Sequence, residues 1–148
     1  MGESEATIKV KRLSADAQIP KAAKPGDVAF DLYSVENVLL KPGERHAVKT
    51  GIALEIPIGF EAQIRPRSGL ALRNGLTTLN TPGTIDSGYR GEVRVILINH
   101  GHEDFEVTVG MRVAQMAIRR VPDVEFVEVE ELNDSERGAD GFGSTGVK

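Results

Sequence analysis

The sequence predicts an all-β protein, a sandwich, jelly roll or barrel with at most one short helix. Three observations carry this expectation. Short apolar–polar alternations recur, separated by Pro-Gly or Gly-containing turns at roughly ten-residue spacing, which is the pattern of antiparallel β folds and not of βαβ units. The chain places 16 glycines and 7 prolines along its length, which fits many turns. No stretch shows the helical periodicity of a strong amphipathic helix. At 148 residues the chain is most simply one domain, long enough to bury roughly two thirds of the surface its unfolded form exposes.

The elements follow in order. IKVKRL, residues 8–13, alternates apolar and charged side chains and reads as a half-buried strand, and AKPGD then turns the chain. VAFDLYSV and VLL come next, closed by KPGE. RHAVKTGIALEIP sets Ile52, Leu54 and Ile56 in alternation, and GFEAQIRPR is stopped by Pro66. SGLALRNG, residues 68–75, is the exception: Ser68 is placed to N-cap one or two helical turns and Gly75 to end them. LTTLN and a turn at TPG lead into GEVRVILINHG, whose apolar residues on both faces predict a strand covered on both sides. DFEVTVGMRVAQMAIRRV continues in period two, and VEFVEVEEL predicts one more strand with an acidic face. From Asn133 the pattern stops, and NDSERGADGFGSTGVK has nothing to anchor it in a core. The expected division is a β domain over residues 1–136 and a mobile glycine-rich arm over residues 137–148.

Composition removes whole classes of chemistry. The chain has no cysteine, which excludes disulfides, thiolate metal sites and a cysteine nucleophile. A net charge of −4 argues against broad nucleic-acid binding, which relies on an extended positive field. A small anionic ligand remains compatible if some of the 18 Lys and Arg converge on one site. MGESEATIKV has no apolar segment of an export signal, and no stretch approaches the roughly 20 apolar residues of a membrane helix. The expectation is a cytoplasmic protein without membrane contact. His46, His100 and His102 have no ligand-like spacing with carboxylates and read as turn or surface residues.

Three segments depart from strand grammar. RPRSGLA sets Arg65 and Arg67 around a proline ahead of a helical turn, so guanidinium groups, a hydroxyl and free amides can cradle a phosphate or merely cap a helix. NTPGTIDSGYRGE gathers Asn80, Asp86 and Tyr89 between two strands, and the Asp of such a turn also serves its own backbone. RGADGFGSTG satisfies the letter of a dinucleotide loop, yet only Val147 and Lys148 follow, too few for the helix that loop requires.

In this order the segments resemble the trimeric dUTP pyrophosphatase (dUTPase) family over nearly the whole chain. AFDLYS is similar to its first motif, PRSGLA to the second, GTIDSGYRGEV to the third, GMRVAQM to the fourth and RGADGFGSTG to the fifth. The resemblance implies a jelly-roll fold assembled as a homotrimer, with active sites shared between subunits and the arm closing over a neighbour's site. It implies hydrolysis of dUTP to dUMP and pyrophosphate, with Asp86 activating the attacking water. It also implies Mg2+ held by the triphosphate and reached through water by Asp31, whose competing role is a structural acceptor. Arg67, Ser68 and Gly69 would bind phosphate, joined by Gln115, which otherwise is ordinary strand surface. Arg137, Ser144 and Thr145 would act from the arm, with Gly143 beside them and Phe142 stacked on uracil. Asn80, Gly83 and Thr84 would present the hairpin that selects uracil. Tyr89 would lie under the deoxyribose and exclude a 2'-hydroxyl, its alternative being a core aromatic. The related dCTP deaminases share the fold but are expected to carry Glu where this chain has Asp86. A nucleotide-binding regulatory module without turnover is the remaining alternative.

Overall fold

With one exception, the apolar alternations of the sequence find ladder partners. The computed structural model of the chain describes residues 4–143 and 146. In it the chain runs through β1 (Lys9–Arg12), β2 (Ala29–Tyr33), β3 (Val38–Leu40), β4 (Arg45–Glu55), β5 (Phe60–Arg65), α1 (Ser68–Asn74), β6 (Leu76–Thr78), β7 (Gly83–Ile85), β8 (Glu92–Asn99), β9 (Phe105–Val107) and β10 (Arg112–Arg120). All named pairings are antiparallel, in two four-stranded sheets ordered β1-β4-β8-β6 and β2-β10-β5-β7 and a small β3-β9 ribbon. One core cluster draws on both large sheets, with Ile52, Leu54, Val93 and Val95 from the first and Leu32, Ile64, Val113 and Met116 from the second. This is the jelly-roll-like sandwich that period-two patterning with short turns specifies.

The expectation for β8 holds at its end. Leu97, Ile98 and Asn99 are consecutive buried residues, while Arg94 near its start is exposed. Asn99 is the polar member of that run and is fully used. Its Nδ2 donates to the carbonyls of Leu40 at 2.9 Å and Glu103 at 2.8 Å, and its Oδ1 accepts from Gly101 N at 2.8 Å. Three segments are thereby tied to one buried side chain, as the cost of an unpaired buried polar group demands.

Four expectations change. VEFVEVEEL forms no strand: among the described residues, 121–132 have no ladder partner, and Phe126 is 98% exposed with Val124, Val127, Val129 and Leu132 also exposed. Alternation specifies a face but not a partner, and both edges of β10, the strand before it, are taken by β2 and β5. Ser68 is the first residue of α1 and not its N-cap. Arg67 holds that position with extended backbone and no capping side chain. Gly75 does close the helix, at φ 70, and a Cβ there would stand 2.7 Å from Gly101 N. DFEVTVGMRVAQMAIRRV divides at a turn, Met111 N donating to Thr108 O at 3.1 Å, so β9 joins the ribbon and β10 a large sheet. GTI, expected between strands, is itself β7.

Asn99→Ala is expected to cost about 2–4 kcal/mol, since it strands two carbonyls and an amide at a buried site. The denaturant midpoint at constant slope measures it, and a loss below about 0.5 kcal/mol would mean those groups find other partners.

Candidate active site

Two groups of side chains stand out, built on different parts of the sandwich. The first is a cationic corner at one end of β2, β10 and β5. Ladder register sets Gln115 opposite both Asp31 and Arg65, and sets Arg112 opposite Tyr33. The Asp31 side chain is only 6% exposed, and its Oδ2 lies 3.9 Å from Arg112 Nη1. Arg67 Nη1 donates to the backbone oxygen of Arg112 at 3.2 Å. Arg65 Nη2 donates to Gln63 Oε1 at 3.0 Å. A Cβ on Gly69 would sit 2.9 Å from Arg73 Nη2, so that guanidinium lies against the start of α1.

The charges register on one another. Partial burial lowers the pKa of Arg67, the neighbouring charge of Arg112 lowers it further, and Asp31 opposes both. Burial raises the Tyr33 phenol, the Asp31 charge adds to this, and Arg112 acts in the opposite direction. Both shifts describe a carboxylate set among guanidiniums at a partly dry corner. Helix α1 spans seven residues, too short for its dipole to dominate, so the arginines supply the attraction for an anion.

The second group lines a cavity of about 310 Å³ that includes Asn80, Gly83, Thr84, Asp86 and Tyr89. Pairing of β7 with β5 places Gly83 opposite Ile64 and Thr84 opposite Gln63. A Cβ on Gly83 would approach Asn80 Nδ2 to 3.2 Å, so the absent side chain lets the Asn80 amide settle over the strand. Asp86 follows β7 at once. Its backbone oxygen accepts from Tyr89 N at 3.1 Å, while its exposed carboxylate has no hydrogen-bond partner among the described residues.

Tyr89 is not a core aromatic. It is 48% exposed, and its hydroxyl donates to Glu92 O at 2.9 Å. Its ring rests on Gly91, where a Cβ would lie 2.7 Å from Cζ. The larger groove of about 680 Å³ is lined mainly by apolar residues such as Ile8, Val10, Phe30 and Ile118 and contains none of the expected site residues.

The chain does not unite the groups by itself. Asp31, Arg67, Ser68, Gly69 and Gln115 are absent from the lining of the hairpin cavity. The arm keeps to itself as far as it is described: Arg137 Nε donates to Asp140 O at 2.6 Å, and Phe142 is fully exposed. Gly143 adopts φ 76. Ser144 and Thr145 lie outside the described residues. The structure adds two residues to those expected from the sequence, Arg112 and Gly91. Each lies inside a quoted motif, Arg112 in GMRVAQM and Gly91 in GTIDSGYRGEV, but the contacts of each need strand pairing or ring placement to be seen.

An antiparallel sandwich that offers an arginine-lined anion corner, a small polar cavity and a free carboxylate has the parts of a hydrolase acting on an anionic ligand. Comparison with known proteins makes the class specific. A sequence model of the dUTPase family matches residues 15–146. Deoxyuridine 5'-triphosphate nucleotidohydrolase of Clostridioides difficile is 58% identical over 139 residues, covering 94% of this chain and 97% of that protein. The enzyme of the same name from Crocosphaera subtropica is 58% identical, covering 95% and 99%. Among solved structures, a Staphylococcus bacteriophage 80alpha dUTPase mutant with dUpNHpp matches at a TM-score of 0.89 and 30% identity, covering 95% of this chain and 99% of that one. A dUTPase mutant from phage phi11 of S. aureus, whose structure concerns coordination of a structural Mg(II) ion, matches at 0.79 and 26% identity, covering 84% and 97%. The chain belongs to the dUTPase family. It is a hydrolase of dUTP.

Gly91→Ala tests the cavity wall. Gly91 is not among the glycines with positive φ, so an added Cβ acts chiefly by displacing the Tyr89 ring. A fall of about tenfold or more in kcat/KM for dUTP is expected, and in a Tyr89→Ala background the same change should cost little, the non-additivity of contacting residues. Equal losses in both backgrounds would place the effect elsewhere.

Proposed function

We propose that dUTP is cleaved between its α- and β-phosphates by a water that Asp86 orients and deprotonates, giving dUMP and pyrophosphate. The observation that carries this reading is the unpartnered Asp86 carboxylate at the rim of a cavity that Asn80, Gly83, Thr84 and Tyr89 also line. Oxygen of the water bonds to the α-phosphorus as the bond to the bridging oxygen breaks. The proton passes to Asp86, and the electron pair leaves with pyrophosphate. An ordinary carboxylate is a weak base, so placement of the water and stabilisation of developing charge carry most of the rate.

Base choice falls to the hairpin. Backbone groups near Gly83 and the Asn80 amide are set to pair with the uracil edge, and a mismatched donor pattern in a closed site discriminates strongly. Tyr89, held by Gly91 and Glu92, forms the floor for the deoxyribose and leaves no room for a 2'-hydroxyl. The phosphates belong to Arg67, Ser68, Gly69 and Gln115.

Mg2+ suits this corner as a substrate-borne ion. Among the described residues no cluster of three or more acidic or histidine side chains could hold a metal, whereas Mg2+ commonly binds through one carboxylate, waters and phosphate oxygens. Asp31 would hold the ion through a bound water, and a bound ion would supply charge neutralisation on the triphosphate.

Because one chain keeps its two groups apart, the working unit is a homotrimer in which the corner of one subunit, with Asp31, Arg67 and Gln115, meets the hairpin of another. The exposed Phe126, Val127 and Leu132 in a segment without a ladder support such an assembly. The arm, residues 137–148, closes over a neighbour's site, with Arg137 toward the γ-phosphate, Phe142 on uracil, and Gly143, Ser144 and Thr145 along the phosphates. We place the enzyme in the cytoplasm, where its product supplies dUMP for dTMP synthesis and its action limits uracil in DNA. No helix among the described residues is long and apolar enough to cross a membrane.

Asp86→Asn is expected to lower kcat by about 10³-fold or more while sparing affinity for a non-hydrolysable dUTP analogue, measured by calorimetry. Surviving turnover would remove Asp86 as base. Deleting residues 137–148 is expected to leave an assembly with the same number of subunits that hydrolyses dUTP very poorly. An unchanged rate would remove the arm from the mechanism.

A further inference from the structure

The ladder between β10 and β2 contains an irregularity with a chemical consequence. From Met116 through Ala114 the pairing is regular, with Ala114 opposite Leu32, and then Arg112 stands opposite Tyr33. Two residues of β10, Arg112 and Val113, therefore face one residue of β2, which is a β-bulge. In an unbroken ladder Val113 would fall opposite Tyr33, on the same face as Gln115 and Asp31, and Arg112 would be on the face that carries Leu32. The bulge reverses this. Val113 enters the core at 1% exposure, and Arg112 comes to the side of Asp31, with its side chain 48% exposed.

The reversed arginine makes two contacts, both to groups of the phosphate corner. Its guanidinium stands 3.9 Å from the nearly buried carboxylate of Asp31. Its backbone oxygen accepts the Arg67 guanidinium at 3.2 Å. We infer that Arg112 is a positioning residue for dUTP hydrolysis: the bulge turns it to hold the Asp31 carboxylate from one side and the Arg67 guanidinium from the other, so that both act on one triphosphate. This rests on the reading that the corner receives the phosphates. Asp31 alone would repel a triphosphate and, as a buried charge without a counterion, would be costly to keep in place. Arg112 offsets that repulsion, while its loose single contact leaves a carboxylate oxygen free for a metal-bound water. Arg67, tied through one nitrogen, keeps its remaining donors for phosphate oxygens.

The test is a double-mutant cycle read by binding as well as rate. Affinity for a non-hydrolysable dUTP analogue is measured by calorimetry with and without Mg2+, and kcat and KM are measured across Mg2+ concentration, for Arg112→Gln, Arg112→Lys, Asp31→Asn, Arg67→Gln and Arg112→Gln with Asp31→Asn. Arg112→Gln is expected to weaken analogue affinity about tenfold or more and to raise KM and the Mg2+ requirement more than it lowers kcat. Arg112→Lys, which keeps the charge beside Asp31, is expected to recover most of that affinity, and it replaces the Gln variant in the cycle should the latter fail to fold. In the Asp31→Asn background the Arg112 change should add less than about twofold. A full additional loss there would mean that Arg112 does not act through Asp31 and would overturn the inference. If Asp31→Asn and Arg67→Gln weaken the analogue while Arg112→Gln does not, the inference falls and the phosphate corner stands. If neither Asp31→Asn nor Arg67→Gln changes affinity, the corner itself is misassigned.

Discussion

The register of β10 is the constraint on which the rest depends. This strand bonds to β2 on one side and β5 on the other, so its backbone has no freedom to slide without breaking two ladders at once. Met116 and Ala114 must reach the core, and that requirement fixes where Gln115 emerges and which residues of the neighbours stand beside it. The cationic corner is therefore a by-product of core packing. Asp31, Gln115 and Arg65 share a row because apolar side chains one step away must interdigitate, and a slip of one residue would turn that row inside out.

Electrostatics at this corner run against the charge of the whole chain. A net charge of −4 gives an anion no general reason to approach. The local positive field comes instead from Arg67 and Arg112 placed near one carboxylate, with Arg73 beside the start of α1, in a setting dry enough to shift the ionisation of Arg67 and Tyr33. Local focusing of this kind makes net charge a guide to partners of large extent and a poor guide to small ligands. The hairpin cavity works on a different principle, through backbone geometry and the shape left by Gly83 and Gly91.

Much of this was legible in the sequence, for identifiable reasons. A strand such as β5 announces itself because one covered face imposes period two, and Gly75 announces the end of α1 because a left-handed residue there favours glycine. Asp86 and Tyr89 stood out because polar and aromatic residues crowd a short segment between strands. Three things were hidden. The run from Val124 to Leu132 alternates like a strand, but a sequence does not state whether an edge is vacant to receive it. Ser68 has the chemistry of a cap, but the extended residue before the helix is Arg67, so the helix starts one residue earlier. The contacts of Arg112 depend on a bulge, and a bulge leaves no mark in hydrophobic pattern because Val113 is apolar wherever it points.

The seat of Tyr89 carries a further implication. Its hydroxyl is anchored three positions along the same chain and its ring rests on a glycine two positions along, with neither support drawn from the sandwich interior. An aromatic wall built from its own turn is insulated from what happens in the core. Exchanges of volume among interior Val, Ile and Leu do not act directly on the two contacts that seat this ring. Substitutions that change stability through the core and substitutions that reshape this wall are thus expected to act as separable changes.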